Sequence, residues 1–451
     1  KDITFKVNED LTVDLTAFPT LYTIFKTYKV TSLTRPFYLF GNKDLLNTIR
    51  AEFTNIKEVD NLIEALNAED IIVFAEKVPL NKVLWTPNDP YYGTVNGGNF
   101  KWHLNMIKAD SAWDVQKGSS TIKVAIIDNF VWGGHPDLQI SSSNLCKFTS
   151  STKYTIGSAS PSSSSIPQGS TSNAYSASHG THCAGLVGAI NNNGVGIASI
   201  GGGVTLMGVA TGTESSPQYI KYGNEGIQWA ANNGANVISM SYGTSASSTT
   251  EQTIMQACYN AGIVLVAAAG NEGDDGNAIS YPGGYSTVIS VASVNGDGKL
   301  SDFSQWGSGR ADIAAPGGYI NSSVYYPNIL STTYCKSYLL KYYYSSFSNT
   351  YYDGMQGTSM ACPIVAGLCG LLLSKDSTLT PAQILTRLQE TATPLNSLSE
   401  HTIDGYGYIN AYEALGYNYV RVSDTSLLFS SDANQSRIIS IESTVSWNIS
   451  N

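Results

Sequence analysis

The segment Val124-Ala125-Ile126-Ile127-Asp128 is an uninterrupted apolar run that ends in a carboxylate. Comparable apolar runs follow along the chain, with helical patterns between them, at residues 204–209, 237–240, 263–269 and 288–294. Continuous apolar strands of this kind are typical of parallel sheets that are covered by helices on both faces. The pattern therefore predicts an α/β domain over residues 100–418, with functional residues beyond the carboxyl ends of its strands.

The composition excludes several classes of protein. Of the 451 residues, 42% are apolar and only 13% are charged, and the formal net charge is −10. Low charge together with 28 Tyr and 42 Gly indicates a globular chain with polar, uncharged surfaces. The acidic balance argues against a nucleic-acid partner, which needs clustered Lys and Arg. No apolar run reaches the roughly 20 residues of a membrane-spanning helix, so we expect no membrane span.

The chain divides by pattern into four parts. Residues 1–80 combine short strand patterns, among them 71–75, with a helical pattern at 57–68, and they predict a small α+β domain. Three prolines between residues 77 and 90 break both periodicities and predict a linker over 81–99. After the α/β domain, residues 419–451 alternate as strands do and are too few to close a sandwich. We expect them to begin a further β domain.

Three polar residues stand at the ends of the predicted α/β elements. Asp128 ends the first strand, His179 opens Ser-His-Gly-Thr-His-Cys, and Ser359 lies in Gly-Thr-Ser-Met-Ala before an apolar helix. Each alone is more commonly a cap or a turn residue. Together they supply the nucleophile, base and carboxylate that acyl transfer requires. Asn271 offers a side-chain amide to the developing oxyanion, and the Ser359 N–H at a helix start offers a second donor.

These motifs follow one another in the order Asp, His, Asn, Ser, and in that order they resemble the subtilisin-like serine peptidases. The resemblance covers residues 100–417. It implies a mostly parallel subtilisin-like sheet with helices on both faces, and a reaction that needs no cofactor. It assigns Ser359 as the nucleophile, His179 as the general base and then acid, and Asp128 as the orienting carboxylate. Asn271 would lie in the oxyanion hole.

The same resemblance implies where a peptide substrate binds. An extended substrate would pair with backbone at 206–208 and 241–243, and the side chain before the scissile bond would lie between 241–243 and 268–270. Ser280, where a smaller Gly would deepen the pocket, favours a medium or large apolar side chain there. The substrate-binding residues would be Leu206, Gly208, Ser241, Tyr242, Gly243, Ala268, Ala269 and Gly270.

Several residues depart from the family pattern. Asn129 and Phe130 follow Asp128, where Thr or Ser and then Gly are common. Cys362 replaces a common Ser after the nucleophile, and Cys183 follows the His-Gly-Thr-His motif, as in the branch that resembles proteinase K. We expect both cysteines to be buried small residues, yet close enough to the site to confer sensitivity to thiol reagents. His182 is expected to be structural.

By resemblance, the first part of the chain is an inhibitory propeptide with a ferredoxin-like α+β fold. Its strand Ile71–Val78 would lie in the active-site cleft, and self-cleavage is expected between Lys77 and Thr86. An accessory domain that stays attached remains an open alternative.

Calcium is a second open question. Asp137, in His-Pro-Asp-Leu, and Asn192 match positions of a family calcium site. The loop after Asn192 is shorter than in the family, which would remove carbonyl ligands that a hard cation needs. The two matching residues favour structural calcium and the shorter loop disfavours it, so both outcomes stay open. The acidic turn 272–276 is expected to be a solvated loop, with a second metal site or a rim that attracts basic substrates as alternatives.

The C-terminal residues 420–451 resemble the opening of BACON-type β-sandwich modules, which implies a larger secreted or bacterial cell-surface protein. The sequence thus predicts a secreted, monomeric, self-processing serine endopeptidase that acts on proteins or peptides, with its own propeptide as inhibitor. Two alternatives stand beside it. One is a protease-derived binding or adhesion protein that the attached prodomain keeps shut. The other is a zinc hydrolase at His179 and His182, which is disfavoured because the motif lacks the Glu of H-E-x-x-H.

Overall fold

The computed structural model describes residues 6–39, 43–53, 58–78, 85–95, 98–318, 328–395, 406–416, 420–422 and 441–443. The chain separates into two units, Lys1–Val83 and Leu84–Asn451. Each has a hydrophobic core of its own.

The first unit is small and mixes strands with helices. Its elements are β1 (Lys6–Val7), β2 (Val13–Asp14), α1 (Pro19–Thr27), β3 (Val30–Thr34), α2 (Lys43–Leu46), β4 (Arg50–Phe53) and α3 (Val59–Asn67). The antiparallel pairs β1–β2 and β3–β4 form two separate two-stranded sheets. Leu62 and Leu66 lie one helical turn apart on α3 and pack with Leu21 and Phe25 of α1.

The prediction of a strand at residues 71–78 is wrong. These residues form turns and irregular backbone. The backbone of Ala75 bonds the side chain of Asn67 instead of a neighbouring strand: its N–H donates to Asn67 Oδ1 at 2.6 Å. Val73 and Phe74 are exposed, at 95% and 64%.

The second unit begins with short elements that lead into a large sheet. Its first half contains β5 (Thr94–Val95), β6 (Gly98–Asn99), α4 (Trp102–Met106), α5 (Ala109–Val115), β7 (Lys123–Asp128), β8 (Leu145–Ser150), β9 (Lys153–Ile156), α6 (Ser172–Ser176), α7 (His179–Gly188), β10 (Thr205–Ala210), β11 (Gly212–Thr213), β12 (Ser216–Ile220) and α8 (Gly223–Asn232). Its second half contains β13 (Val237–Met240), α9 (Thr249–Asn260), β14 (Val264–Ala268), β15 (Ile289–Val294), β16 (Ile313–Pro316), β17 (Ile329–Thr332), β18 (Tyr352–Met355), α10 (Thr358–Lys375), α11 (Pro381–Glu390), β19 (Thr393–Pro394), β20 (Gly407–Tyr408), α12 (Ala411–Gly416), β21 (Val420–Val422) and β22 (Ile441–Ser443).

Ten of these strands form one sheet, in the order β19-β20-β16-β15-β14-β13-β7-β10-β8-β9. Only the outer pairs β19–β20 and β8–β9 are antiparallel. Side chains of β7 alternate between two cores: Val124 and Ile126 face the core with α7 and α10, whereas Ala125 and Ile127 face the core with α8 and α9. The predicted α/β sheet with helices on both faces is therefore confirmed, and each of its five predicted strands is placed within one residue.

Helix α10 runs through the larger core. It is the one helix of the described chain that is long and apolar enough to cross a membrane, and 83% of it is buried inside the protein. Its apolar character is explained by packing against β13, β14 and β15, as expected of a core helix.

The segments at both ends of the second unit include residues that pack or pair. The predicted linker 81–99 contains a packed residue, because the Trp85 ring meets Trp113 edge-on at 5.5 Å between centroids. At the other end, β21 and β22 pair antiparallel. The rest of the proposed β-sandwich module lies outside the described residues.

Candidate active site

The carboxyl end of β7 and the start of α7 bring two of the predicted residues together. Asp128 is the last residue of β7 and His179 is the first of α7. The close approach requires glycine at position 180, because a Cβ there would lie 2.4 Å from Phe130 O and 2.5 Å from Asp128 Cβ. The absence of a side chain at Gly180 therefore allows the end of β7 and the start of α7 to approach closely.

Asp128 holds the imidazole of His179 by both oxygens of its carboxylate. His179 Nδ1 lies 2.8 Å from Oδ1 and 3.0 Å from Oδ2 of Asp128, which is 1% exposed. Burial lowers the pKa of His179, but the charge of Asp128 and its hydrogen bond raise it more, so that the pKa lies well above 6.5. Because Nδ1 is engaged, Nε2 is the nitrogen left for proton transfer.

Ser359 lies in the first turn of α10, where backbone N–H groups have no helical acceptor. Its Oγ donates to Ser241 O at 3.0 Å. His179 and Ser359 line one cavity of about 520 Å³. We call it the second cavity, because another cavity at Ser359, described below, is the first. Hydrogen bonds between a nucleophile and its base are often long or misaligned before substrate binds, so the bond of Ser359 to Ser241 does not argue against a catalytic pair with His179.

The amide of Asn271 has a fixed orientation next to Ser359. Its Oδ1 accepts hydrogen bonds from Thr358 N at 2.9 Å and Thr358 Oγ1 at 3.0 Å. A backbone N–H can only donate, so the atom facing it must be the oxygen. The NH₂ group of Asn271 is thereby directed away from Thr358, and Asn271 lines the second cavity together with Ser359.

Residues 119–407, well over half of the chain, match the family model described as Subtilase family (Peptidase_S8). The chain belongs to the subtilase family. It is a serine endopeptidase of the subtilisin type, as relatives along most of its length also indicate.

This subtilase is similar to thermitase from Thermoactinomyces vulgaris, with 34% identity over 333 residues that cover 74% of the chain and all of thermitase. It is 32% identical to subtilisin E from Bacillus subtilis over 313 residues, 69% of this chain and 70% of that one. Among solved structures it resembles fervidolysin from Fervidobacterium pennivorans, a keratinolytic enzyme related to subtilisin. That match has a TM-score of 0.57 and 29% identity, and it covers 72% of this chain and 47% of fervidolysin.

Four of the eight residues predicted to bind substrate line one cavity of this subtilase. A cavity of about 330 Å³, which we call the first cavity, is lined by Tyr242, Gly243, Ala268 and Gly270 next to Ser359. Ser280 also lines it, and so do the carboxylate-bearing Glu272 and Asp275. Ser241 and Ala269 are adjacent in sequence but do not line it; Ser241 contacts Ser359 directly.

The prediction that Leu206 and Gly208 bind substrate is wrong. Both lie on β10, an inner strand between β7 and β8. Ala210, at the end of β10, pairs with Asp128, so Leu206 lies four residues, roughly 13 Å, back along the strand from the edge where the site is. A strand that is already paired and covered cannot accept a substrate strand.

The residues that depart from the family pattern are all buried. Asn129, 3% exposed, keeps Asp128 bonded by donating its N–H to Oδ1 at 2.7 Å. Cys183 Sγ lies 4.0 Å from His179 Nδ1, and Cys362 Sγ lies 3.5 Å from Ser239 Oγ. His182 Nε2 lies 3.0 Å from Ile329 O and 3.2 Å from Asp353 O, and burial lowers its pKa to about 3. His182 therefore contacts backbone carbonyls of β17 and β18, and neither contact is to a metal-binding side chain.

The expected calcium residues are placed differently. Asp137 is fully buried, and Asn193, not Asn192, contacts it, with Nδ2 at 2.9 Å from Asp137 Oδ1. The Asn192 side chain turns away, because its Oδ1 accepts the N–H of Asn88. A second buried carboxylate, Asp89, lies nearby and holds the N–H of Asn192 at 2.8 Å.

These two carboxylates are held by hydrogen bonds: Asp137 also accepts Ile197 N at 3.0 Å, and Asp89 also accepts Asn193 N at 3.3 Å. Burial raises the pKa of Asp137 to about 6, with a contribution from the charge of Asp89, and burial also raises the pKa of Asp89. Neither forms an ion pair with Lys or Arg in the described ranges. Two buried carboxylates without a counter-charge fit a divalent cation. Sequence reasoning missed Asp89 because it lies in the proline-rich segment that predicted a linker.

Proposed function

We propose that this subtilase cleaves peptide bonds through an acyl-enzyme on Ser359. Its Oγ would attack the substrate carbonyl while His179 Nε2 accepts the hydroxyl proton, and the same proton would pass to the amine as the C–N bond breaks. Water would then enter and release the acid by the reverse route. The observation that carries this proposal is the contact of His179 Nδ1 with both Asp128 oxygens, which fixes the tautomer and supports the imidazolium.

The oxyanion would be held by two donors. The Asn271 NH₂ group is one, because its oxygen is already engaged by Thr358. The N–H of Ser359, at the positive end of α10, is the other. Asn271 lines the same two cavities as Ser359, and the second donor belongs to the nucleophilic residue itself.

A substrate would lie along the backbone of 241–243, with the side chain before the scissile bond in the first cavity. Small walls at Ala268 and Gly270 leave about 330 Å³ there, which suits a medium or large apolar side chain. Glu272 and Asp275 at the same cavity would tolerate a basic group at its mouth.

We infer that the first unit acts as an intramolecular inhibitor and that the chain processes itself between Lys77 and Thr86. Exposed apolar side chains in the segment before this point, Val73, Phe74 and Val78, support a role in contacting another surface. Incubated wild-type protein should acquire a new N-terminus, whereas Ser359→Ala should keep Lys1. A wild-type chain that still begins at Lys1 and is fully active would refute the inhibitor role.

Calcium would bind between Asp89 and Asp137 and stabilise the fold without taking part in the chemistry. It would supply the positive charge that these buried carboxylates lack, and so tie residues 85–92 to the loop after α7. The low charge of the chain and its resemblance to a surface module support secretion or display on a bacterial cell, with a monomer acting on proteins or peptides.

Labelling with a fluorophosphonate tests the catalytic assignment. After removal of the first unit, Ser359 should be labelled in the wild type and unlabelled in Ser359→Ala, and His179→Ala should react far more slowly. Failure of the processed wild type to react would favour the binding-protein alternative. Activity that survives phenanthroline and is lost with a sulfonyl fluoride would exclude the zinc hydrolase.

A further inference from the structure

The two cavities at Ser359 receive different halves of the substrate. Ser359 and Asn271 line both cavities, whereas His179 lines only the second. In the proposed function, on which this inference rests, His179 gives its proton to the departing amine. The second cavity therefore lies on the amine side of the scissile bond, and the first on the acyl side.

The second cavity has largely apolar walls. Leu339, Met355 and Met360 form them together with the ring of Tyr175. No Asp, Glu, Lys or Arg of the described residues lines this cavity. The polar groups of the cavity are His179 and Ser359, which the reaction uses, and the amides of Asn271, Asn328 and Gln356. A charged side chain placed there would lose hydration and would meet no side chain of Asp, Glu, Lys or Arg among these residues, so the walls favour an apolar side chain. The volume of about 520 Å³ admits a large one.

One of these walls comes from the tyrosine-rich segment between β17 and β18. Leu339 projects from a turn whose backbone is held by a single carboxylate, that of Asp353 in β18. Asp353 is fully buried, and it accepts the N–H groups of Tyr338, of Leu339 at 2.7 Å and of Leu340 at 2.9 Å. Charge-assisted bonds of this kind are stronger than neutral ones, so Asp353 fixes the position of the wall.

The wall formed by Tyr175 is attached to the same strand. Tyr175 donates its hydroxyl to Gly354 O at 3.1 Å, and its ring packs in a tilted arrangement against Tyr338 with 5.2 Å between centroids. Both walls are therefore anchored on the residues that lead directly to Ser359. A cavity built in this way is present before substrate binds, which favours selection of a matching side chain.

We propose that the turn 338–340 determines specificity on the amine side, selecting a large apolar residue within the first two positions after the scissile bond. Leu339 would contact that side chain. Asp353 is a positioning residue, since it acts through the turn and touches no substrate atom.

The test uses pairs of internally quenched peptides that are identical up to the scissile bond. After the bond, one peptide carries Leu or Phe at the first two positions and the other carries Asp. The wild-type ratio of kcat/KM for the apolar over the acidic peptide should be about tenfold or more, the scale of discrimination by an apolar pocket. The ratio should fall below about threefold in Leu339→Ala and in Asp353→Asn, on the same scale.

Tyr342→Ala provides a matched control, because Tyr342 lies in the same segment, is 75% exposed and does not line the cavity. Its ratio should equal that of the wild type. If Asp353→Asn does not fold, Leu339→Ala decides. A wild-type ratio near one, or a ratio unchanged in the variants, would overturn the proposal.

A peptide p-nitroanilide separates the two levels of inference, since it carries no residue after the scissile bond. Wild-type hydrolysis of the anilide without any preference on the amine side would refute only the role of the turn. No hydrolysis of the anilide by the processed wild type would refute the proposed catalysis itself.

Discussion

Asn271 combines two tasks in one side chain, and two substitutions separate them. Its oxygen accepts from Thr358 N and Oγ1 at 2.9 and 3.0 Å, and its NH₂ group is left to donate to the oxyanion. Asn271→Asp keeps an acceptor for Thr358 but replaces the donor by a second oxygen. Asn271→Ala removes both groups.

The expected losses follow from these contacts. Loss of one oxyanion donor costs about 2.7–4 kcal/mol in the transition state, a figure known from subtilisin, which is roughly 10²- to 10³-fold in kcat. Asn271→Asp should lose more than Asn271→Ala, because its negative charge faces the oxyanion. Stability should follow the opposite order: in Asn271→Ala the N–H of the fully buried Thr358 has no acceptor, at a cost of about 1–3 kcal/mol in the free energy of unfolding.

Both orders can be measured on processed enzyme. Hydrolysis of a peptide p-nitroanilide gives kcat, and urea unfolding followed by Trp fluorescence gives the free energy of unfolding. An Asn271→Asp enzyme within about tenfold of the wild-type kcat would refute the donor role. An Asn271→Ala enzyme as stable as Asn271→Asp would refute the structural role of the Thr358 contact.

Three further results are expected. Asp128→Asn removes the charge that raises the pKa of His179, so the acidic limb of the kcat/KM–pH profile should move to lower pH and kcat should fall about 10⁴-fold; an unmoved limb contradicts this. Asp137 has a folded-state pKa of about 6 against 3.8, so the folded protein binds this proton more tightly. In EDTA, thermal stability should rise as pH falls from above 6 to below 4, and Asp137→Asn should abolish the rise. An organomercurial on Cys183, whose Sγ lies 4.0 Å from His179 Nδ1, should inactivate the enzyme, slowly because burial raises the thiol pKa; Cys183→Ala should resist, and an unaffected wild type counts against the contact.

The features that could be predicted from sequence are those with local causes. Asp128, His179 and Ser359 each lie at the end of a regular element, where a change of pattern marks them. Strand ends of a parallel sheet meet at one edge, so the sequence also indicated that these residues meet. The apolar runs also located the strands, because a strand that is covered on both faces needs apolar residues at every position.

The features that could not be predicted from sequence depend on which elements are neighbours in the fold. An apolar run does not reveal whether its strand is inner or outer, and for this reason Leu206 and Gly208 were assigned to the substrate although β10 is paired on both sides. Asp89 contacts the loop after α7 across 103 residues. Asp353 accepts hydrogen bonds from the turn 338–340, and nothing in the sequence of that turn indicates this contact. Each of these contacts requires the tertiary fold.

Asn129 shows what a departure from a family pattern means physically. Its N–H bonds Asp128 Oδ1, so the carboxylate keeps its support. Its side-chain oxygen accepts from Gly180 N, at the start of the helix that carries His179, and its NH₂ donates to Ser176 O and Pro217 O. A Ser or Thr hydroxyl has a single donor and could not serve both carbonyls. The substitution therefore leaves Asp128 supported and changes what the strand end is tied to: here one amide joins the catalytic helix, the segment before it and the β11–β12 hairpin. A position next to a catalytic residue is constrained by the hydrogen bonds required there, and a different side chain can fill it when the neighbouring loops supply different partners.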